Sequence, residues 1–457
     1  MNIAFVSNFH KTYLFHQIAQ GLTEKGYNIY WFCFGEKWYN YLIDSGYKPE
    51  NILLLNKNVK ASAAPLVGEY KLNELIANDR ALRYNYESSY EYLTAIEKPF
   101  FNFVAENNLA YIFGEMTYAH EILMARICLD KFKNKAHYLH PQSIRIPNGR
   151  FTFLDTEFQD TIFEKAINYR PEADLNPKDV PIKPVPPQRV VQVAKDVKKS
   201  MTLQAKLKRV KRLFTEENIE KDNPSIIADR NVRYRIAVRE EINKSTYKLL
   251  KTENISFLEN KKYVLITLHM QPEASVDVVG RYYEDQYITI FNVWRILNGD
   301  MYLVLKEHTN AIGNRSNAFY ERCKKLKNVI FVHETTSSHA LINGALAIFT
   351  NSGTVALEGA LYGINSFVFS NIFFSKLIKC HPITLEDLKF CENFDDLVNK
   401  CNQKAVSSHK LNNEEYSKFI LRSSFEGVVD PPIILKDTVD HENVSKVINS
   451  FDVFLKL

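Results

Sequence analysis

Apolar residues in this chain come in short runs that end in polar clusters, with stretches of helical period between them. Residues 2–7 form one such run, closing on Ser7-Asn8-Phe9-His10. Leu14, Ile18 and Leu22 then recur at four-residue spacing as far as Gly26, and a second run covers Ile29–Phe34. Run, helix-length periodic segment and run predict a β-α-β unit with parallel strands. The alternation continues through Leu109–Phe113, amphipathic Tyr118–Leu129 and the strand-like His137–His140. Between them, about 60 to 107, the chain is polar, rich in tyrosine and predicted helical. A second series starts at Tyr263–Leu268 and proceeds through Tyr302–Leu305, Val329–Val332, Leu346–Phe349 and Ser366–Phe369, with helix-length segments between.

The stretch joining the two series has a different character. Pro181, Pro184, Pro186 and Pro187 favour an extended, semi-rigid connection. From 151 to 255 no strand alternation is evident, only helix-length charged segments. The expected fold class is therefore α/β, with two Rossmann-like domains facing a central cleft and a mainly helical insertion between them. The expected boundaries are 1–150 for the first domain, 151–255 for the insertion, 256–430 for the second domain and 431–457 for a helical tail.

Composition narrows the class. At 457 residues the chain exceeds a single core, and 46% apolar with 24% charged residues is ordinary for a soluble globular protein. No run approaches the ~18 residues that a membrane helix needs. Met1–Val6 reads as a strand and lacks the basic start of a secretion signal. Six cysteines without a Cys-x-x-Cys pair indicate neither a disulfide framework nor a zinc site, so a reducing cytoplasm is expected. The net charge of +5 is concentrated in Lys195–Arg212, where eight basic side chains face Asp196 alone. Val197, Met201, Leu203, Leu207, Val210 and Phe214 interleave with them at roughly helical spacing. That segment reads either as the solvated face of a packed helix or as a surface for an anionic membrane or acidic glycan. No recognition module or basic surface elsewhere supports a nucleic-acid partner.

Three strands of the second series run straight into chemistry-bearing groups. They are His269-Met270-Gln271-Pro272-Glu273, Lys306-Glu307-His308 and Asn351-Ser352-Gly353-Thr354. In a parallel α/β sheet, loops at the carboxyl ends of neighbouring strands converge, so these groups are expected around one ligand. Lys306 and His308 suit a phosphate, and so do the hydroxyls and helix start at Ser352, Gly353 and Thr354. Glu358, one turn on, suits ribose hydroxyls, and Arg315 is a further cation for the donor site. His269 and Gln271 suit a sugar or base edge, while Glu273, on a loop stiffened by Pro272, can be a nucleophile or base. Arg281 and Gln286 are candidates to support the site. In the first series Glu115 follows Gly114 at the corresponding strand end, and Asn8 and His10, which end the first strand, suit an acceptor hydroxyl; paired carboxylates at Glu115 and Glu273 would suit glycosyl transfer or hydrolysis. For each residue the bland alternatives are a helix cap or an exposed surface charge.

Taken together, several strings resemble the bacterial capsule polysaccharide biosynthesis family, which includes transferases of 3-deoxy-manno-octulosonate (Kdo). They are Leu268–Ser275, the Lys306-Glu307-His308 turn with Gly313 and Arg315 behind it, and Ser352-Gly353-Thr354 followed by Glu358, Ala360 and Gly363. Glu115 after glycine and the Arg145–Arg150 stretch also fit, so the likeness spans both series but not 151–255. Thr309 departs from it, standing where proline usually follows the histidine, and some similar enzymes carry aspartate at the Glu273 position. The resemblance implies a glycosyltransferase-B fold and transfer of an acidic ulosonic sugar from a CMP donor to a glycan or glycolipid. It implies His308 and Lys306 at the donor phosphate, Ser352–Thr354 holding CMP, Glu273 as nucleophile or base, and Glu115 as acid/base toward the acceptor. No metal or cofactor is expected, because the chain lacks a clustered Asp-x-Asp and cationic side chains can meet the charge of departing CMP. The rival readings are a UDP- or GDP-sugar transferase or epimerase of the same fold, and a non-catalytic glycan-binding subunit of a capsule assembly complex.

Overall fold

A computed structural model describes residues 1–60, 68, 70–169, 199, 202, 204–205, 220–432 and 436–457. The proline-rich segment 181–187 lies outside the described residues, as does nearly all of the basic segment 195–212. The chain divides into two compact units: Met1–Asn176, Glu216–Val232 and Phe419–Leu457 make the first, Pro177–Thr215 and Arg233–Lys418 the second. Among the described residues no helix is long and apolar enough to cross a membrane.

The first unit is built on β1 (Asn2–Val6), β2 (Asn28–Cys33), β3 (Ile52–Leu54), β4 (Leu109–Phe113), β5 (His137–Ile144) and β6 (Arg150–Leu154). Its parallel strands run in the order β3-β2-β1-β4-β5, and β6 pairs antiparallel with β5. Ile3, Ala4, Phe5 and Val6 are fully buried, as expected of a central parallel strand covered on both faces. Phe5 lies 5.3 Å from Phe15 and 5.5 Å from both Trp31 and Phe113, so three elements meet on one ring. The tyrosine-rich stretch contains the helices Leu72–Asn78 and Tyr86–Glu106.

The second unit carries β7 (Tyr263–Thr267), β8 (Tyr302–Lys306), β9 (Val329–Val332), β10 (Ala347–Thr350), β11 (Asn365–Val368) and β12 (Cys380–Pro382). All six are parallel, in the order β12-β11-β10-β7-β8-β9. Read outward from β7, this is the Rossmann order 3-2-1-4-5-6, and the first unit repeats it as far as its fifth strand. The chain is thus α/β with two Rossmann-like units.

Four strands, β3, β6, β12 and a short last one, escape the sequence reading. β3 and β12 have three residues each, too few to show a pattern. β6 falls where the pattern showed no strand, because all five of its residues are buried and Arg150 and Thr152 interrupt the apolar run. Those polar groups are satisfied by the end of the chain: Arg150 Nε donates to Ser424 Oγ (2.9 Å) and Thr152 Oγ1 to the Ser423 carbonyl (2.6 Å). A short last strand, β13 (Phe425–Glu426), then pairs antiparallel with β6. The terminal helix His441–Lys456 follows and packs Phe454 on Phe153, ring centroids 4.0 Å apart. From Phe419 onward the chain therefore completes the first unit and its aromatic core.

Candidate functional site

The two sheets share a topological feature. The strand order reverses between β1 and β4 in the first unit and between β7 and β10 in the second. Crossovers on either side of such a pair leave to opposite faces, which opens a crevice at the carboxyl ends of the strands. Polar side chains bridge both pairs at that end.

In the second unit His269, just past β7, places Nε2 2.7 Å from Oγ1 of Thr350, the last residue of β10. The same Oγ1 accepts from the Gly353 amide at 3.2 Å. A Cβ on Gly353 would stand 2.7 Å from Thr350 Oγ1 and 3.2 Å from His269 Cε1, so the turn closes only around a glycine. Burial pushes the His269 imidazole down to about 3, with the His308 and Arg315 charges adding to the effect. Its ring is therefore neutral at physiological pH.

Behind these groups lies a carboxylate that the sequence did not single out. Glu307, between Lys306 and His308, is 1% exposed. It accepts from Arg315 Nη1, from the Tyr320 hydroxyl at 2.8 Å and from the His308 amide at 2.8 Å. Nη2 of Arg315 donates to the His269 carbonyl. Arg315, expected among the donor ligands, is buried and joins the loops after β7 and β8. Gln286 acts likewise: Oε1 accepts from the His269 amide (2.8 Å), and Nε2 donates to the His269 carbonyl (3.2 Å) and to Gln271 Oε1 (2.8 Å).

Alternation along β8 turns Glu307 inward and leaves Lys306 and His308 half-buried. Lys306 Nζ donates to the Glu334 carbonyl at 3.2 Å; burial holds its pKa below the usual lysine range, against the pull of Glu307 and Glu334. His308 is lowered first by burial; the Glu273 carboxylate is the largest charge opposing that, ahead of Glu307, while Lys306 and Arg315 lower it further. The Glu273 and His308 side chains are thus electrostatic neighbours. Nδ1 of His308 accepts from the Asn310 amide at 3.2 Å, which assigns the proton of the neutral ring to Nε2.

Glu273 is half-buried; its Oε2 accepts from Ser275 Oγ at 2.9 Å and its amide donates to Asp277 at 3.0 Å. Ser352 Oγ donates to the Ser275 carbonyl at 2.5 Å, and Asn314 Nδ2 to the Gln271 carbonyl at 2.7 Å. Hydrogen bonds therefore tie the loops after β7, β8 and β10 to one another. Thr354 precedes the helix Val355–Leu361, whose seven residues make a short dipole. Glu358, one turn in, lies 3.8 Å from Nε2 of His339 on the preceding helix. Arg281 is buried, and its Nη1 donates to the Val278 carbonyl at 2.6 Å.

In the first unit Asn8, past β1, donates through Nδ2 to Glu115 Oε2, past β4, at 2.8 Å. Lys11, 3% exposed, donates to the other Glu115 oxygen at 3.2 Å and to the Val429 carbonyl. Glu121 is fully buried and accepts from the amides of Glu115 (3.2 Å), Thr117 (2.9 Å) and Tyr118 (3.1 Å). Burial, then the Glu115 charge, pushes Glu121 up to about 8 despite those three donors. Gly114 is required because a Cβ there would lie 2.0 Å from the Tyr138 hydroxyl. His10 is exposed beside Tyr13, ring centroids 6.0 Å apart, and does not reach this group. Lys11 and Glu121 gave no signal in the sequence, since both sit within apparently ordinary amphipathic helices.

No family model and no curated protein matches the sequence. Among solved structures, the chain is similar to the β-Kdo 2,7 transferase of KpsC from Thermosulfurimonas dismutans, with TM-score 0.35 and 11% identity over 79% of this chain and 90% of that one. It is similar to UDP-GlcNAc 2-epimerase from Methanocaldococcus jannaschii, with TM-score 0.25 and 11% identity over 92% and 99%. It is also similar to the calicheamicin glycosyltransferase CalG4, with TM-score 0.26 and 11% identity over 100% and 98%. Likenesses at TM-scores this low assign neither chemistry nor substrate to this chain.

Proposed function

We propose that this chain is a glycosyltransferase that moves an acidic ulosonic sugar from its CMP-activated donor to a hydroxyl of a bacterial surface glycan or glycolipid. The sugar is Kdo or a nonulosonic acid such as pseudaminic or legionaminic acid. The observation that supports this reading is the set of hydrogen bonds from Ser352 to the Ser275 carbonyl and from Asn314 to the Gln271 carbonyl, which tie together the loops after β7, β8 and β10 that carry Glu273, Lys306, His308 and the Ser352–Thr354 turn. A carboxylate beside phosphate-binding groups is what departure of a nucleoside monophosphate from an anomeric carbon requires.

The steps follow from those groups. The bond from the anomeric carbon to the phosphate oxygen breaks, and its electron pair leaves with CMP. Lys306 supplies charge and Nε2–H of His308 a hydrogen bond to that phosphate. Glu273 captures the oxocarbenium-like carbon as an ester on the opposite face. The acceptor oxygen then attacks, the carbon–Glu273 bond breaks and frees the carboxylate, and the acceptor's proton passes to solvent, so configuration is retained over two inversions. No metal enters these steps, and chelation is expected to leave the rate unchanged. The basic segment 195–212, nearly all of it outside the described residues, is proposed to meet an anionic membrane surface at the cytoplasmic face. Co-sedimentation with anionic vesicles that survives its deletion would remove that assignment.

Donor screening tests the reading. Incubation with CMP-Kdo, CMP-nonulosonates and UDP- and GDP-sugars is expected to release CMP alone, and the product to keep the donor's anomeric configuration. Release of UDP or GDP would overturn the donor class, and an inverted product would remove Glu273 as nucleophile.

A further inference from the structure

One half-buried cation of the first unit has no counter-charge among the described residues. Arg80 follows the helix Leu72–Asn78, where Asp79 is turned inward: its Oδ1 accepts from the amides of Ala81 (2.7 Å) and Leu82 (2.8 Å), and its Oδ2 from the Ala119 amide at 2.9 Å. That last bond ties the Arg80 turn to the loop after β4. The guanidinium carbon of Arg80 stands 5.5 Å from the Tyr118 ring centroid, and the same ring is 6.1 Å from Phe9, the residue after Asn8. Glu121 gathers the amides of Glu115, Thr117 and Tyr118, so Arg80 borders the residues that follow β1 and β4. Its Nε is enclosed without a hydrogen bond; among the described residues nothing accepts from its terminal nitrogens either, and these keep access to the surface. By contrast Lys11 is paired with Glu115, and Arg126 with Glu74 and Glu157. A cation partly withdrawn from water without a counter-charge is costly, and a ring face offsets only part of that.

We propose that Arg80 binds an anionic group of the acceptor, a carboxylate or a phosphate, at the carboxyl edge of the first sheet. With Nε enclosed, the two terminal nitrogens present an end-on fork, which pairs with two oxygens of either anion. The Tyr118 ring holds the guanidinium from one side. The nearby carboxylates do not take the fork: Asp79 is engaged by three amides, and Glu115 by Asn8 and Lys11. The Arg80 charge bears on the buried Tyr118 hydroxyl ahead of the charges of Asp79, Glu121 and Glu115, which keeps these groups in one electrostatic neighbourhood. A neutral glycan would leave the fork empty, so the acceptor is one that already carries negative charge. The site rests on the transferase reading only for its ligand being the acceptor.

Full-length 15N-labelled protein, followed by NMR at the Tyr118 and Ala119 amides, tests this. It is titrated with the methyl glycoside of Kdo and with glucose 1-phosphate, each against a neutral counterpart, the methyl ester of that glycoside and methyl glucoside. Those amides are expected to shift with at least one anionic probe and not with its neutral counterpart; the probe that moves them names the anion as carboxylate or phosphate. Affinity read at the same amides should fall roughly ten- to a hundredfold in Arg80→Gln, the loss of a charge-assisted pair, and recover in part in Arg80→Lys, which keeps the charge without the fork. Melting curves of both variants separate lost contact from lost fold. Unmoved amides with both anions, equal shifts with the neutral counterparts, or equal affinity in folded Arg80→Gln would overturn the site. Failure of CMP release with anion binding intact would instead remove the transferase reading and leave the site standing.

Discussion

Arg315→Met separates two roles for one residue, a ligand for the donor or a strut beneath it. Arg315 and Glu307 are paired with side chains 8% and 1% exposed. Removing the guanidinium leaves Glu307 with the Tyr320 hydroxyl and the His308 amide, and strips one donor from the His269 carbonyl. Breaking a buried pair from one side costs ~3–5 kcal/mol, because the remaining charge stays desolvated. Hydrogen exchange reads this unit by unit, and a two-unit chain is not suited to a single unfolding free energy. The slowest amides of β7, β8 and β10 are expected to exchange roughly 10²–10⁴-fold faster, with those of β1 and β4 unchanged. The double variant Glu307→Gln/Arg315→Met should recover part of the loss, since no charge is then buried. Unchanged exchange in Arg315→Met together with lost nucleotide affinity would refute the strut and restore Arg315 as a ligand.

Three further outcomes follow from the geometry. Glu273→Gln should lower transfer by roughly 10²–10⁴-fold and move the His308 titration to lower pH, because the carboxylate that supports the imidazolium is gone; an unmoved His308 titration by NMR would part the two residues. His120, His140, His269 and His381 are all held by burial at about 3 against an ordinary 6.5. Their stabilisation is present above pH 6.5 and is lost as pH falls toward 3, by about 1.4 kcal/mol per pH unit for each. Glu121, held at about 8, works the other way: its share is full below 4.5 and is lost as pH rises through 8. The melting temperature should therefore drop from pH 6.5 to 5, and a flat or rising profile would contradict the assigned burial. Gly114→Ala puts a methyl 2.0 Å from the Tyr138 hydroxyl and 3.0 Å from Val6 Cγ2, which should cost about 1–3 kcal/mol in exchange protection of β4 and β5; wild-type protection would show that the strand ends are looser than described.

What the sequence made legible was the apolar rhythm. β1, β2, β4, β7, β8 and β9 are strong runs between helical segments, and their ends carry the polar groups that the switch points use. The link from Ser352 to the Glu273 loop follows from strand order, which short crossovers nearly dictate. What stayed hidden was the set of contacts between residues far apart in sequence. Glu307 reads as one more polar residue between Lys306 and His308 until Arg315 and Tyr320 are seen to close on it. Lys11 becomes a site residue only because Val429, over four hundred positions away, returns to accept from it. β6 and β13 pair through the same return, and neither Arg150-Phe151-Thr152-Phe153-Leu154 nor a two-residue strand carries a period that could reveal it.

The central claim is that the β7/β10 edge binds a cytidine nucleotide by its phosphate. A crystal structure with CMP tests it most directly. The account predicts phosphate oxygens within hydrogen-bonding distance of His308 Nε2, with Lys306 and the Ser352–Thr354 turn around the same group and Glu273 on its open side. A nucleotide seated elsewhere, or CMP held with its phosphate turned away from His308, would contradict it.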